Sequence, residues 1–175
     1  MTEQKSEELS YWRVRARELS IDEFAEEYRC PFLLRSPPPA GRGPGADFDD
    51  LAFKTDVADV ELVSSRPSAR PTEASRVIPI VKSDRNPFTG QISVGRAKNC
   101  DIILRDGSVS KNHAYFRVVN GATAELVDTQ SQNCTRVNAS PIKPVVPVEV
   151  VSGDTIIFGS VLTRFLDARA LYRLL

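Results

Sequence analysis

Residue types that build reactive or metal-binding sites are scarce in this sequence. It has a single histidine, His113, and three cysteines, none of them in a C-x-x-C pair. A structural zinc site takes about four such ligands, so neither a metal centre nor another cofactor is expected. Three scattered cysteines favour reduced thiols, which predicts a cytoplasmic protein.

Long apolar runs are also missing. No stretch of about 18 apolar residues occurs, so no membrane span is expected. The first twenty residues, MTEQKSEELSYWRVRARELS, are too polar for a secretory signal. A hydrophobic fraction of 41% and a charged fraction of 26% are typical of a globular protein.

The net charge is zero, but the charges are unevenly distributed. Residues 1–75 hold 10 basic and 15 acidic residues, a net charge of −5, whereas residues 76–175 hold 13 and 8, a net charge of +5. The second part should therefore favour anionic partners, and the first part could itself be one. The basic residues are spread through strand-like sequence rather than gathered in a stripe, so nucleic-acid binding is not expected.

The N-terminal residues predict helices. Ser20 and Glu23 form the pattern of a capping box at a helix start, and a proline at position 31 predicts that this helix ends before it. An earlier helix over about residues 6–18 fits the pattern as well. We therefore expect a helical N-terminal segment over residues 1–35.

Residues 36–75 are expected to be a linker and an acidic segment, both flexible. Proline and glycine dominate SPPPAGRGPGA at residues 36–46, which is typical of a linker. Residues 47–63 are acidic with scattered apolar side chains, and residues 64–75 have the composition of a second, disordered linker.

Residues 76–175 carry a different pattern, namely short strand-like runs every eight to twelve residues with turn residues between them. Asn120-Gly121 between two apolar runs predicts a hairpin. The run DARALYRLL at the end could form a terminal helix. The fold class predicted is therefore mainly β: an antiparallel β-sandwich with a helical and partly disordered N-terminal extension.

Three motifs lie among the strand-like runs. In chain order they are Gly95-Arg96, then Ser110-x-x-His113-Ala114, then DTQSQNCTRVN with Asn133, Thr135 and Asn138. Together they resemble the forkhead-associated (FHA) domain over about residues 76–168. The resemblance implies an FHA-like sandwich whose loops bind phosphothreonine peptides. The protein would then be a non-catalytic adaptor in kinase-dependent signalling.

The resemblance also assigns residues to the phosphopeptide site. Arg96 would anchor the phosphate, because its guanidinium presents a fork of charge-assisted donors. Ser110 would add a hydroxyl donor, Lys111 a charge, Gln132 an amide donor and Asn133 an amide that pairs with the peptide backbone. Gly95, His113 and Asn138 would support the binding loops.

This sequence departs from the family pattern at three positions. Gln132 stands where threonine or serine is common, while Cys134 and Ala139 replace common glycines. Cysteine would be strained at position 134 if the backbone there needs a positive φ.

Two alternatives remain beside the phosphothreonine adaptor. An FHA-like scaffold could bind a partner or its own tail independently of phosphate. A hydrolase using Ser110 and His113 is disfavoured, since no G-x-S-x-G nucleophile elbow occurs.

The expected partners are a phosphothreonine-containing protein and a Ser/Thr kinase. Thr55 and Thr72 in the N-terminal region are candidate phosphorylation sites. Phosphorylation of either could let the N-terminal tail bind the loops of the same chain.

Overall fold

The computed structural model describes residues 8–37 and 70–175. These residues form three helices: α1 (Leu9–Glu18), α2 (Ile21–Glu27) and α3 (Ala168–Leu174). They also form eleven strands: β1 (Phe32–Arg35), β2 (Arg76–Pro79), β3 (Ile92–Gly95), β4 (Ile102–Ile103), β5 (Ala114–Val118), β6 (Thr123–Asp128), β7 (Thr135–Val137), β8 (Ser140–Pro141), β9 (Val148–Val151), β10 (Thr155–Phe158) and β11 (Val161–Leu166). None of the helices described is long and apolar enough to cross a membrane.

The strands form two sheets that pack face to face. One has the order β2-β1-β11-β10-β7-β8 and the other the order β4-β3-β5-β6-β9. Alternate residues of both sheets meet in one core, where Phe158 and Phe165 of the first sheet pack with Phe116 of the second. The predicted β-sandwich is confirmed. It is not wholly antiparallel, because β3 and β4 run parallel.

Strand β1 lies inside this sandwich, where the sequence predicted a helical segment. Phe32–Arg35 pairs with β2 on one side and with β11 on the other. Leu33 joins the sandwich core, while Phe32 and Leu34 point to the opposite face of the sheet. A short apolar run buried on both faces is the pattern of an inner strand. The predicted domain boundary at residue 76 therefore leaves out one strand of the sandwich.

The three helices cover the outer face of the six-stranded sheet. Trp12 of α1 is buried there and packs edge-on against Phe32, with ring centroids 5.2 Å apart. Phe24 of α2 and Leu171 of α3 complete this second apolar cluster. The outer cluster joins the N-terminal helices to the C-terminal one, so they belong to the same folded unit as the sandwich.

Helix α2 begins at the capping box that the sequence predicted. The Ser20 side chain accepts a hydrogen bond from the Glu23 N–H, and the Glu23 carboxylate accepts one from the Ser20 N–H. The terminal helix is confirmed as α3, whose first turn is capped by Asp167.

Part of the expected second linker is ordered. Residues 70–75 lie against α1, where Arg13 forms an ion pair with Glu73 and donates to the Pro71 carbonyl. Ser75 is buried and its hydroxyl accepts from the Thr72 N–H at 3.1 Å. The other expected linker and acidic residues, including Thr55, lie outside the described residues except for Ser36 and Pro37.

Candidate functional site

Three loops meet at one end of the sandwich: β3–β4, β4–β5 and β6–β7. The Arg96 N–H donates to the Ser110 carbonyl at 3.0 Å, and the Ala97 N–H donates to the Lys111 carbonyl at 3.1 Å. The Gln132 N–H donates to the Ser110 hydroxyl oxygen at 3.0 Å, which attaches the third loop. The structure thus brings together the segments that carry Arg96, Ser110 and Gln132.

Gly95 is required by this close approach of two loops. A Cβ at position 95 would lie 2.3 Å from the Lys111 carbonyl oxygen, far inside van der Waals contact. Gly95 therefore fixes the place of Arg96, the next residue. The Arg96 side chain is exposed, and no hydrogen bond from the described residues engages its guanidinium.

Ser110 stands at the centre of the three loops. Its backbone groups bind Arg96 and His113, and its hydroxyl oxygen accepts from Gln132. The hydroxyl proton remains able to donate to a ligand. Lys111, next in the chain, is exposed, while its carbonyl is occupied by the Ala97 N–H.

His113 is wholly buried beneath these loops, with 0% of its surface exposed. Its Nδ1 accepts from the Ser110 N–H at 3.0 Å, so Nε2 carries the proton and donates to the Cys134 carbonyl at 3.2 Å. Burial lowers the pKa of His113, which keeps the ring neutral. Both nitrogens are committed to backbone groups, so the imidazole does not form a base–nucleophile pair with the Ser110 hydroxyl.

Asn133 is held by its amide nitrogen. Nδ2 donates to the Ser108 carbonyl at 2.8 Å, which leaves the carbonyl oxygen of the exposed Asn133 side chain available as an acceptor. Ser108 is itself buried, and its hydroxyl donates to Asp106 and accepts from the Ser160 N–H. The Asn133 side chain is therefore bound to Ser108, and Ser108 links the β4–β5 loop to the β10–β11 turn.

Ser108, Asp106 and Ser160 were not among the residues predicted from the sequence. The available signal was the spacing of Asp106 and Ser108. An aspartate that accepts from the N–H two residues on is typical of an Asx turn. No short-range pattern indicates the contact of Ser108 with Ser160, because these residues are far apart in the chain.

Cys134 has the left-handed backbone that the glycine pattern implied, with φ of 57°. Its carbonyl accepts from His113 Nε2 and from the Gly159 N–H at 3.2 Å, so the conformation places this carbonyl where two donors meet. The preceding Gln132 side chain is exposed.

Asn138 does not support the binding loops, contrary to the expectation. It lies beyond the other end of β7, where its amide donates to Asp154 at 2.8 Å and accepts from the Thr155 N–H at 3.0 Å. Asn138 and Ala139 have φ of 51° and 70° and form the turn between β7 and β8. The two asparagines that flank β7 thus serve opposite ends of the sandwich.

Two buried aspartates, Asp128 and Asp101, hold these loops in position by accepting hydrogen bonds. The Asp128 carboxylate accepts from the Ser131 and Thr135 hydroxyls, both at 2.6 Å. Burial favours the neutral acid, but these hydrogen bonds keep the pKa of Asp128 below its ordinary value. Asp128 was not among the residues predicted from the sequence.

Asp101 is the last residue of the β3–β4 loop and fixes this end of the loop through hydrogen bonds. Its side chain is 0% exposed and accepts from Lys82, from Asn86 and from the N–H and hydroxyl of Ser93. Burial opposes ionisation of this carboxyl group. The hydrogen bonds from Asn86 and Lys82 prevail and hold the pKa of Asp101 well below its usual range.

Comparison with known proteins gives a consistent result. The family model of the FHA domain matches residues 92–159. The glycogen accumulation regulator GarA of Mycolicibacterium smegmatis is 38% identical over 74 residues, which cover 42% of this chain and 44% of the relative. The chain thus spans less than half the length of that curated relative.

A solved structure shows the same fold. The FHA domain of yeast Dun1, solved with a doubly phosphorylated peptide derived from Rad53, is 20% identical, with a TM-score of 0.50, over 82% of this chain and 78% of its own. The FHA domain of the CT664 protein from Chlamydia trachomatis is 21% identical over 52% of this chain and 84% of its own, with a TM-score of 0.43.

Proposed function

Since this chain contains an FHA domain, matched over residues 92–159, we propose that it is a phosphothreonine-peptide-binding adaptor in kinase-dependent signalling. FHA domains bind phosphothreonine peptides. The observation that carries the proposal is the 3.0 Å backbone contact between Arg96 and Ser110, which brings a guanidinium and a hydroxyl donor to one loop surface.

In this proposal Arg96 anchors the phosphate. A phosphothreonine carries about −1.5 to −2 charges and three acceptor oxygens, and the planar guanidinium offers paired donors to them. Ser110 donates its hydroxyl proton to the same phosphate. Lys111 adds positive charge from the same loop, since its side chain is exposed.

Gln132 and Asn133 would contact the peptide from the β6–β7 loop. The Gln132 side chain can donate through its amide. Asn133 would offer its carbonyl oxygen to a peptide N–H, because its Nδ2 is already bound to Ser108. This narrows the role of Asn133 to that of an acceptor.

A phosphate-independent scaffold is the second candidate. Two observations favour it: cysteine occupies a left-handed position at residue 134, with φ of 57°, and glutamine replaces the common hydroxyl residue at 132. In that case the loops would bind a partner with similar affinity whether or not its threonine is phosphorylated.

The adaptor proposal implies the kinds of partner, and the thiols bear on the location. The partners are a phosphothreonine-containing protein and the Ser/Thr kinase that modifies it. The thiols of Cys30, Cys100 and Cys134 are free, which supports a cytoplasmic location.

Intramolecular binding is a further part of the proposal. Arg35 of β1 pairs with Arg76 of β2, so the segment that joins these two strands starts and ends at neighbouring positions of the sheet. The Ser36 N–H donates to the Leu162 carbonyl, two residues from Ser160, which places the exit near the loop end of the sandwich. Thr55 is the better candidate ligand, because Thr72 is engaged in a turn with Ser75.

The adaptor proposal is tested by calorimetry with one phosphothreonine peptide and its unphosphorylated form. We expect Arg96→Ala to weaken binding of the phosphorylated peptide by about 2–5 kcal/mol, as for truncation of one member of a desolvated charge pair. Arg96→Lys should recover only part of this loss, since lysine lacks the fork. Arg17→Ala, an equal loss of charge in the last turn of α1, is the matched control.

Two results would contradict the adaptor. If a folded Arg96→Ala variant binds with unchanged affinity, Arg96 is not the anchor. If both forms of the peptide bind the native protein equally, the scaffold is the better proposal.

Intramolecular binding is tested in the full chain. The fragment 76–175 would lose β1 and expose β11, so it is not a valid reference. We expect kinase treatment to lower the affinity for an external phosphopeptide, and Thr55→Ala to abolish this effect. Equal affinities before and after complete phosphorylation of Thr55 would refute it.

A further inference from the structure

Four exposed basic residues lie on the loops that carry the proposed phosphate site. Arg96 follows β3 and Arg105 follows β4, and the Leu104 N–H donates to the Gly95 carbonyl at 2.9 Å. Because β3 and β4 run parallel, the two arginines leave neighbouring strands at the same end. The Ala97 contact with Lys111 brings Lys98 and Lys111 to the same surface.

Negative charge that could neutralise these residues is scarce in the same loops. Asp106 is the one carboxylate among residues 96–100 and 104–113, and its Oδ1 accepts from the N–H and hydroxyl of Ser108 at 2.9 and 2.6 Å. Asp101 and Asp128, at the edges of these loops, are buried and bound to other partners. The chain as a whole has zero net charge, so the excess is local to this surface.

The phosphate group alone does not balance this charge. Four cations against one carboxylate leave an excess of +3, and a phosphothreonine supplies about −1.5 to −2. At least one positive charge remains. It resides on Lys98 and Arg105, the two basic residues that the phosphate contacts proposed above do not use.

We propose that the site selects phosphothreonine segments flanked by acidic residues, with Lys98 and Arg105 as the residues that set this preference. The proposal rests on the proposed phosphothreonine binding and names its substrate class. Single exposed cations are usually solvated and contribute little. Here four lie on the loops at one end of the sandwich, where a common field favours carboxylates beside the phosphate and disfavours lysine or arginine there.

The test uses synthetic peptides with one phosphothreonine and three kinds of flank: alanine, glutamate and lysine. Affinities are measured by fluorescence anisotropy with the full chain, beside the unphosphorylated form of each peptide. We expect the glutamate-flanked phosphopeptide to bind about three- to tenfold tighter than the alanine-flanked one, as for one or two exposed ion pairs. The lysine-flanked one should bind more weakly than both. The preference should shrink as salt is raised to about 0.5 M.

The variant that tests the residue assignment is the double substitution Lys98→Ala and Arg105→Ala. We expect the ratio of glutamate-flanked to alanine-flanked affinity to fall to about one, whereas Arg17→Ala should preserve the ratio of the native protein. A ratio of one in the native protein, or a ratio that survives the double substitution, would overturn the inference.

These outcomes separate the inference from the function on which it rests. If the alanine-flanked phosphopeptide binds better than its unphosphorylated form but shows no difference from the glutamate-flanked one, phosphothreonine binding stands and only the acidic preference fails. If phosphorylation improves the binding of no peptide, both are refuted.

Discussion

Replacement of His113 by alanine removes a side chain that joins two loops. The imidazole accepts from the Ser110 N–H through Nδ1 and donates to the Cys134 carbonyl through Nε2. It also packs edge-on against Phe158, with ring centroids 5.8 Å apart. Alanine would leave the Ser110 N–H without this acceptor, the Cys134 carbonyl with one donor fewer, and a cavity where the ring had been.

The expected loss of stability follows from these contacts. A buried donor left without its partner costs about 1–3 kcal/mol, and truncation of a large buried ring to alanine costs about 3–5 kcal/mol in all. We therefore expect His113→Ala to lower the free energy of unfolding by about 3–5 kcal/mol. The free energy of unfolding of native domains is about 5–15 kcal/mol. The variant should therefore fold, but with much reduced stability.

The pH dependence of stability gives a second measurement. Burial lowers the pKa of His113 in the folded protein, so the unfolded chain binds more protons than the folded one just below its ordinary pKa of about 6.5. The contribution of the neutral ring is therefore complete above pH of about 6.5 and is lost as pH falls toward the lowered folded pKa. Native protein should lose stability in that range, and His113→Ala should not.

Urea unfolding followed by fluorescence of Trp12, the single tryptophan, measures both effects. Trp12 of α1 lies in the outer cluster, on the face of the sheet away from the sandwich core, so its signal reports unfolding rather than a local change beside His113. His113→Asn, which retains an acceptor and a donor on a shorter side chain, is the conservative variant and should fall between the two. If His113→Ala were normally stable yet lost a hydrolytic activity of the native protein, the structural role would be refuted.

Three further predictions concern single residues of the site. Ser110→Ala should weaken phosphopeptide binding by about 1.5–3 kcal/mol, less than Arg96→Ala, and equal losses in calorimetry would contradict the assignment of Arg96 as the anchor. Cys134→Gly should raise the free energy of unfolding by up to about 1 kcal/mol. Relief of the left-handed φ at this position, about 1–2 kcal/mol, exceeds the entropic cost of glycine in the unfolded chain. A lower free energy of unfolding in urea would show that Cys134 is not strained. Asp101→Asn should lower the free energy of unfolding at neutral pH. Because the pKa of Asp101 is lowered in the folded protein, the difference in stability between native and variant protein should shrink as pH falls below about 3.9, the ordinary pKa of aspartate. Parallel curves of stability against pH would contradict this.

Much of the sandwich could be predicted because its strands carry local signals. Runs such as QISVG and VLTRFL became β3 and β11 almost residue for residue. The capping box at Ser20 was equally local, since all its atoms lie within one helical turn. The motif order also predicted that Arg96 and Ser110 meet, and their loops are joined by a hydrogen bond.

The features that were missed depend on distant parts of the chain. Phe32–Arg35 has no periodicity of its own in four residues, and its strand pairing comes from β2 and β11, far along the sequence. The position of Asn138 could not be read from its motif, because β7 is only three residues long and its register decides which end each asparagine occupies. Ser108 and Asp101 act through partners in other loops.

The place of β1 has a consequence for how the chain behaves when it is cut. A protease that cleaves within residues 38–69 would leave two pieces, yet β1 lies between strands of the other piece on both sides. Within residues 8–37, the N-terminal piece buries six large apolar side chains: Leu9, Trp12, Phe24, Phe32, Leu33 and Leu34. Each such side chain contributes about 1.5–3 kcal/mol when buried. We therefore expect the nicked protein to elute as one particle in size-exclusion chromatography, and the two pieces, expressed separately, to complement each other and restore the sandwich.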